Sequence, residues 1–318
     1  MSAVIGRGYL GDTDLQSMID LLLTLRAPDR VTDYPSSADL RELLMMKLVR
    51  NATRLWVNAD NRLIAFALVD PYNNLRWEID PRAASCGLES EMVTWGVACR
   101  RRMPVDDGKS RTLDASCRED DIERIAFLER HGFIQQPLRS LHLERPLNEP
   151  ISPPQLPPGF VLRSVTGEHE ADALTALHRS AFGTEHMTVD ERLAMMRVPT
   201  YDPALDLVAV APDGRLAAYC LCSVCSEENE RTGRNEGSTD PLATHPDWRR
   251  CGLAKALLLA GLRALKSQGM DRAVLGTRSD NAAMLATAEA VGFRVEWATI
   301  WFAKSLNIDG NDTGRMAR

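Results

Sequence analysis

The sequence predicts an α/β chain built from two similar domains. Three observations carry this: β-type and helical patterns alternate, matching segments recur in the same order in both halves, and one proline-dense stretch separates them. The separator is PLNEPISPPQLPPG, Pro146 to Gly159, with prolines at 146, 150, 153, 154, 157 and 158. Proline fixes φ and lacks an N–H, so such density suits neither helix nor ladder and favours an extended linker. At 318 residues, either half is long enough to bury its own core. The expected boundaries are domains at 1–147 and 160–306, a linker at 148–159 and a polar tail at 307–318.

The repeat is collinear. DPRAASCGLESEMVTWGVA, from Asp80, aligns with HPDWRRCGLAKALLLAGLR, from His245, placing Cys86-Gly87-Leu88 on Cys251-Gly252-Leu253. DDIERIAFLERHGF aligns with DNAAMLATAEAVGF, placing Gly132-Phe133 on Gly292-Phe293, and NRLIAFALV aligns with GRLAAYCLC. One shared tripeptide is easily accidental; three in the same order indicate duplication.

In the second half, a strand at Phe160–Val165 leads to a helix over about Glu170–Phe182. LDLVAVA and RLAAYCLCSV form a hairpin turning at Pro212-Asp213-Gly214. The polar loop SEENERTGRNEG precedes a short strand, Thr239–Thr244. Small or apolar residues at 253, 257, 260, 261, 264 and 265 have helical spacing, and Gly269 is placed to end that helix. A strand at Ala273–Thr277 follows, then a helix capped by Ser279 or Asp280 and ending at Gly292. FRVEWATIWFAK closes the domain as a β-rich segment.

A net charge of −6 and a pI near 5.6 argue against a sequence-blind nucleic-acid binder. No apolar run approaches a membrane span, and MSAVIGRGYLGDTDLQ has no signal-peptide core. Seven scattered cysteines then read as reduced thiols of a cytoplasmic protein. Cys220-x-Cys222-x-x-Cys225 offers at most three ligands on a strand, so no metal is expected. Arg100-Arg101-Arg102 reads as a solvated last turn of a helix.

The chemistry lies at Arg249-Arg250-Cys251-Gly252-Leu253-Ala254. A helix start is already the positive end of the dipole, so folding does not ask for arginines there; binding an anion would. Small residues let a phosphate approach the uncapped N–H groups, and arginine adds charge-assisted bonds. Two solvated arginines before a surface helix is the plainer alternative.

This stretch resembles the [R/Q]-x-x-G-x-[G/A] pyrophosphate loop of GNAT-superfamily N-acetyltransferases. Leu242-Ala243-Thr244-His245-Pro246 before it is similar to the family's pantetheine strand, and Asp280-Asn281 through Gly292-Phe293 to its second cofactor motif. The resemblance covers about 160–304, with a degenerate copy over about 4–147; the tandem layout is similar to that of mycothiol synthase-like acetyltransferases. It implies two GNAT-like domains, each a twisted mixed β-sheet flanked by helices, and acetyl-CoA as the cofactor. Backbone groups of Leu242, Ala243 and Thr244 would meet pantetheine; Arg249, Arg250, Cys251, Gly252, Leu253 and Ala254 would hold pyrophosphate; Asn281 would contact the cofactor arm. A backbone N–H at Leu242 would steady the oxyanion while a small-molecule primary amine attacks the thioester directly. The chain would act as a monomer or homodimer without nucleic acid or membrane.

Two departures matter. The family's general-acid tyrosine falls on Ala288, which leaves open a coenzyme A-binding protein with little or no transferase activity. For the base, Asp240 is the candidate, with a turn or cap role before Pro241 as the alternative; Glu236 is second, and His245 reads as a strand-end residue. In the first half Arg249, Arg250, Ala254 and Asn281 become Ala84, Ser85, Glu89 and Asp121. Each change weakens anion binding, so that half is expected to bind no coenzyme A. The acceptor side is assigned to loops at 183–199 and 226–237, the latter carrying Glu227, Glu228 and Glu230.

Overall fold

The computed structural model describes residues 4–83, 87–103, 111–185, 187–198 and 200–306. The chain divides into two compact units: residues up to 139 with those from 299 onward, and residues 140–298.

The first unit opens with β1 (Ile5–Gly8), α1 (Asp12–Leu25), α2 (Ser37–Leu43) and α3 (Lys47–Asn51), then an antiparallel run of β2 (Thr53–Val57), β3 (Leu63–Val69) and β4 (Leu75–Ile79). A single turn α4 (Pro81–Ala83), α5 (Glu89–Arg102), β5 (Thr112–Arg118), α6 (Ile122–Arg130) and the start of β6 (Ile134–Pro146) follow. Successive strand side chains alternate faces. Leu55, Phe66 and Leu68 therefore pack with Met18, Ile19 and Leu22 of α1, while Trp56, Ala65 and Ala67 pack with Met92 and Val93 of α5. The arginine run is not uniformly solvated: Arg100 is 2 % exposed. It stands four and seven residues after buried Gly96 and Val93, on the inward stripe of α5.

The second unit repeats this plan. Its elements are β7 (Val161–Ser164), α7 (Ala171–Phe182), α8 (Val189–Met196), β8 (Asp206–Val210), β9 (Leu216–Leu221), α9 (Ser226–Thr232), β10 (Glu236–Ser238) and β11 (Leu242–Thr244). Then come α10 (Leu253–Ser267), β12 (Arg272–Arg278), α11 (Ala282–Glu289) and β13 (Arg294–Ser305). The antiparallel sheet has order β11-β9-β8-β7. Leu174 and Leu177 of α7 pack on Val208, Tyr219 and Ala243 from one face. Leu257, Leu258 and Leu262 of α10 pack on Leu207, Ala209, Ala218 and Cys220 from the other. Gly261 lets α10 approach the sheet: a Cβ there would stand 2.7 Å from the Cys222 sulfur.

Three expectations are corrected. The strand expected at 239–244 is confined to β11, Leu242–Thr244, and a separate strand, β10, ends before it at Ser238. The loops at 183–199 and 226–237 contain α8 and α9. Thr188 and Glu191 close a capping box at the start of α8, a signal present in the sequence as Thr-x-x-Glu. The third concerns the closing strands. Residues 140–146 of β6 pair antiparallel with β12, Ser140 opposite Arg278 and Pro146 opposite Arg272. Residues 299–305 of β13 pair with β5, Thr299 opposite Arg118 and Ser305 opposite Thr112. The closing strand of each half thus completes a ladder of the other unit, so the units divide at 139/140 and 298/299, not at the linker. Residues 147–159 form no helix or strand and pack with the second unit. Leu147 is buried, its N–H donates to the Asp271 carbonyl at 2.7 Å, and Ile151 and Leu156 lie against the same core.

Candidate functional site

β10 and β12 run parallel, Glu236 beside Arg272 through Ser238 beside Val274, and Thr239 N–H still reaches the Val274 carbonyl at 3.0 Å. Beyond that point the two lines part. Asp240 occupies the fork, where its Oδ1 accepts from the Ser238 hydroxyl and its Oδ2 accepts from the Gly276 N–H at 3.0 Å. β11 then pairs only with β9, Leu242 opposite Cys220 and Thr244 opposite Ala218. Leu221 N–H donates to the Pro241 carbonyl and His245 N–H to the Ala217 carbonyl. Antiparallel ladders alternate, so Ala243 also faces β9 while the backbone groups of Leu242 and Thr244 turn outward to the open edge. Ala243 is thereby withdrawn from the expected edge set. The Thr244 hydroxyl is buried and has no hydrogen-bond partner among the described residues. An extended ligand with amide groups would satisfy such an edge as an added strand.

The helix start is an anion cradle in geometry. Arg250 has φ 64° and Gly252 φ 84°, two left-handed residues flanking Cys251. A non-glycine residue there is strained, and the alternation turns successive N–H groups to one side. α10 has no side-chain cap, and among the described residues the N–H groups of Arg250, Cys251, Gly252, Leu253, Ala254 and Lys255 donate to nothing. Nothing lies within 4 Å of a Cβ placed on Gly252, so glycine is required there for conformation, not space. The two arginines differ. Arg249 donates to the Ala181 carbonyl at the end of α7 (2.8 Å), while the exposed Arg250 guanidinium has no partner among the described residues.

Other candidates are fixed by local structure. Asn281 caps α11, its Oδ1 accepting from Met284 N–H at 3.1 Å; the expected caps, Ser279 and Asp280, stand before it. Ala288 is wholly buried in the core against α10. His245 caps the turn Pro246–Trp248, its Nδ1 accepting from Asp247 N–H at 3.2 Å. Glu236 is buried near Arg234 and Arg272, and burial pushes its carboxyl up. Burial does the same to Asp240, opposed by its bonds to Ser238 and Gly276. Cys220 and Cys222 share a face with sulfurs 3.7 Å apart. No cluster of three or more His, Cys, Asp or Glu that would hold a metal occurs among the described residues.

One polar pair was not singled out from sequence. His178 of α7 and Tyr219 of β9 meet with Nδ1 and hydroxyl 2.7 Å apart. Both line a recess of about 10 Å³ with Leu174, Met187, Arg192, Met195 and Pro241. Tyr219 stands opposite Ala243, the middle residue of β11. The residues are 41 positions apart, and His178 reads from sequence as one more residue of an amphipathic helix.

The first unit supplies an internal comparison. Gly87 (φ 73°) and Gly132 (φ 75°) match Gly252 (φ 84°) and Gly292 (φ 95°), and Asp121 caps α6 as Asn281 caps α11. Ala84 and Ser85 lie outside the described residues. Its fork persists: Asn74 bridges Asp114 in parallel, and beyond it β4 and β5 border a cleft of about 470 Å³. Inside that cleft Glu78 is held by Arg26 at 2.7 Å and Arg124 at 2.5 Å, and Glu89 stands at its rim, 3.5 Å from Arg130. A buried Arg–Glu–Arg set thus lines the first unit's fork.

Residues 171–293 match the acetyltransferase (GNAT) family model. The mycothiol acetyltransferase of Salinispora tropica is 35% identical over 157 residues, 48% of this chain and 50% of that protein. That of Segniliparus rotundus is 28% identical over 270 residues, 80% of this chain and 96% of that protein. The chain spans about half the length of the first of these relatives. Among solved structures, a tandem GNAT protein from the clavulanic acid biosynthesis pathway superposes with a TM-score of 0.69 at 18% identity, covering 97% of this chain and 99% of that one. A GCN5-related N-acetyltransferase from Sphaerobacter thermophilus gives 0.68 at 21%, covering 96% of each. At these identities the likeness is one of fold.

Proposed function

With a GNAT acetyltransferase domain at residues 171–293 as premise, we propose that the chain transfers an acetyl group from acetyl-CoA to the primary amine of a small molecule. One observation carries this reading: a left-handed pair at Arg250 and Gly252 opens a helix whose first N–H groups have no partner among the described residues, beside a strand edge that is also unpaired among them. Arg250 and the N–H groups of residues 250–255 would bind pyrophosphate. Outward backbone groups of Leu242 and Thr244 would bind the pantetheine amides, with Leu242 N–H as the oxyanion donor. The thioester supplies an activated acyl group. The protein's task is to orient it and to take a proton from the ammonium form of the acceptor. The relatives' name makes the free-amine form of mycothiol the first acceptor to try. The six described cysteines are all free thiols, which fits a reducing, cytoplasmic setting.

Titration calorimetry tests the site: one acetyl-CoA per chain is expected, and Arg250→Ala weakens it about 10- to 100-fold, the loss of one charge-assisted contact. Two equivalents per chain would overturn the assignment of a single site. The second reading, a coenzyme A-binding module without turnover, is favoured by Ala288, which places no hydroxyl at the family's acid position. Turnover against a broad panel of amines separates the two.

A further inference from the structure

We infer that His178, oriented by Tyr219, is the group that takes the proton from the acceptor amine; this rests on the transferase reading above. Three placements point to it. Asp240 has both carboxylate oxygens engaged, by the Ser238 hydroxyl and the Gly276 N–H, holding the strand fork. Ala288 is sealed in the core. His178 is half-buried and lies on the α7–α8 face of the sheet, sharing a recess with Pro241, the residue before the open edge. That recess has room for about one water molecule, enough to relay a proton. Met187 and Met195 line the same recess, from the segment the sequence assigns to the acceptor.

The tautomer decides the chemistry. With Nδ1–H donating to the Tyr219 oxygen, Nε2 is left as an acceptor, and no described residue bonds to it. Burial and Arg192 hold the His178 imidazole below its usual range, so it is neutral near pH 7. The charged and titratable groups around it are Tyr219 from β9 and Arg192 from α8. Arg192 is paired with Asp206 of β8, which also accepts from the Tyr201 hydroxyl at 2.7 Å. On its own helix, Arg179 is occupied by the Met187 carbonyl. In the step, the ammonium proton passes through the water to Nε2 and the free amine forms its C–N bond to the acetyl carbon. The C–S bond breaks, the extra proton on nitrogen goes to the departing sulfur, and the imidazolium returns its proton to solvent. Tyr219 is a positioning residue.

Acetyl transfer to the free-amine form of mycothiol is followed against pH in the full-length chain; wild-type turnover, measured first, decides the transferase reading by itself. His178→Gln is expected to lower kcat/KM by about 10²- to 10³-fold. It should abolish an acidic limb titrating below 6.5 while leaving acetyl-CoA binding unchanged. The isosteric Tyr219→Phe should move that limb and lower kcat with little change in KM. Nitrogen-15 NMR of the imidazole should show the Nδ1–H tautomer. An unchanged pH profile in His178→Gln would overturn the inference. So would the Nε2–H tautomer, whatever the activity.

Discussion

At the residue scale, Ala288 and Glu170 show how position outweighs identity. Ala288 is fully enclosed, and the N–H groups of Val291 and Phe293 both donate to its carbonyl. Restoring the family's tyrosine there adds a ring to a filled core, which costs typically 1–3 kcal/mol. Ala288→Tyr is therefore expected to lower the melting temperature and to gain no activity; a variant both stable and faster would refute this. Glu170 accepts two bonds from Arg163 and two from Thr166, which hold its carboxyl down at about 2. The folded value lies below the ordinary one, so this stability is present above about pH 4.5 and lost as pH falls through 2. The pair is partly exposed, so Glu170→Gln should cost only about 1 kcal/mol at pH 7. The two proteins should melt together near pH 2.

At the scale of elements, α6 and α11 are copies that diverged at the cap. Asp121 and Asn281 each accept from the N–H three residues on, at 3.1 Å in both. The cap explains why a short polar residue is kept, and the exchange of Asn for Asp explains nothing about folding. Asn281→Ala should lose about 1 kcal/mol. Asn281→Asp should melt like wild type yet bind acetyl-CoA more weakly, because it sets a negative charge toward an anionic ligand. Equal binding by Asn281→Asp would remove Asn281 from the cofactor site. The helix start at 250–255 was legible from sequence because small residues and arginines at fixed spacing encode both the turn and the charge. The fork was not. Its opening depends on where Asp240 caps Gly276 N–H across 36 residues, and no local pattern records that bond.

At the scale of the whole molecule, the exchange of closing strands sets what can fold alone. A piece cut as 160–306 lacks residues 140–146, leaving the β12 edge bare, and carries 299–305 without β5. Unpaired edges promote association. The piece 160–306 is expected to aggregate on size exclusion; a monomeric piece would argue against the exchange. By itself the sequence determined the duplication, the α/β alternation and the start of α10, all of them local and periodic patterns. Only the tertiary structure decided which sheet each closing strand joins, that Ala288 faces the core, that Arg26 and Arg124 hold Glu78 in the first unit's fork, and that His178 meets Tyr219. The reason is physical. A strand's alternation states which face is apolar but not which edge receives its hydrogen bonds, and side chains 41 residues apart share no period that could announce their contact.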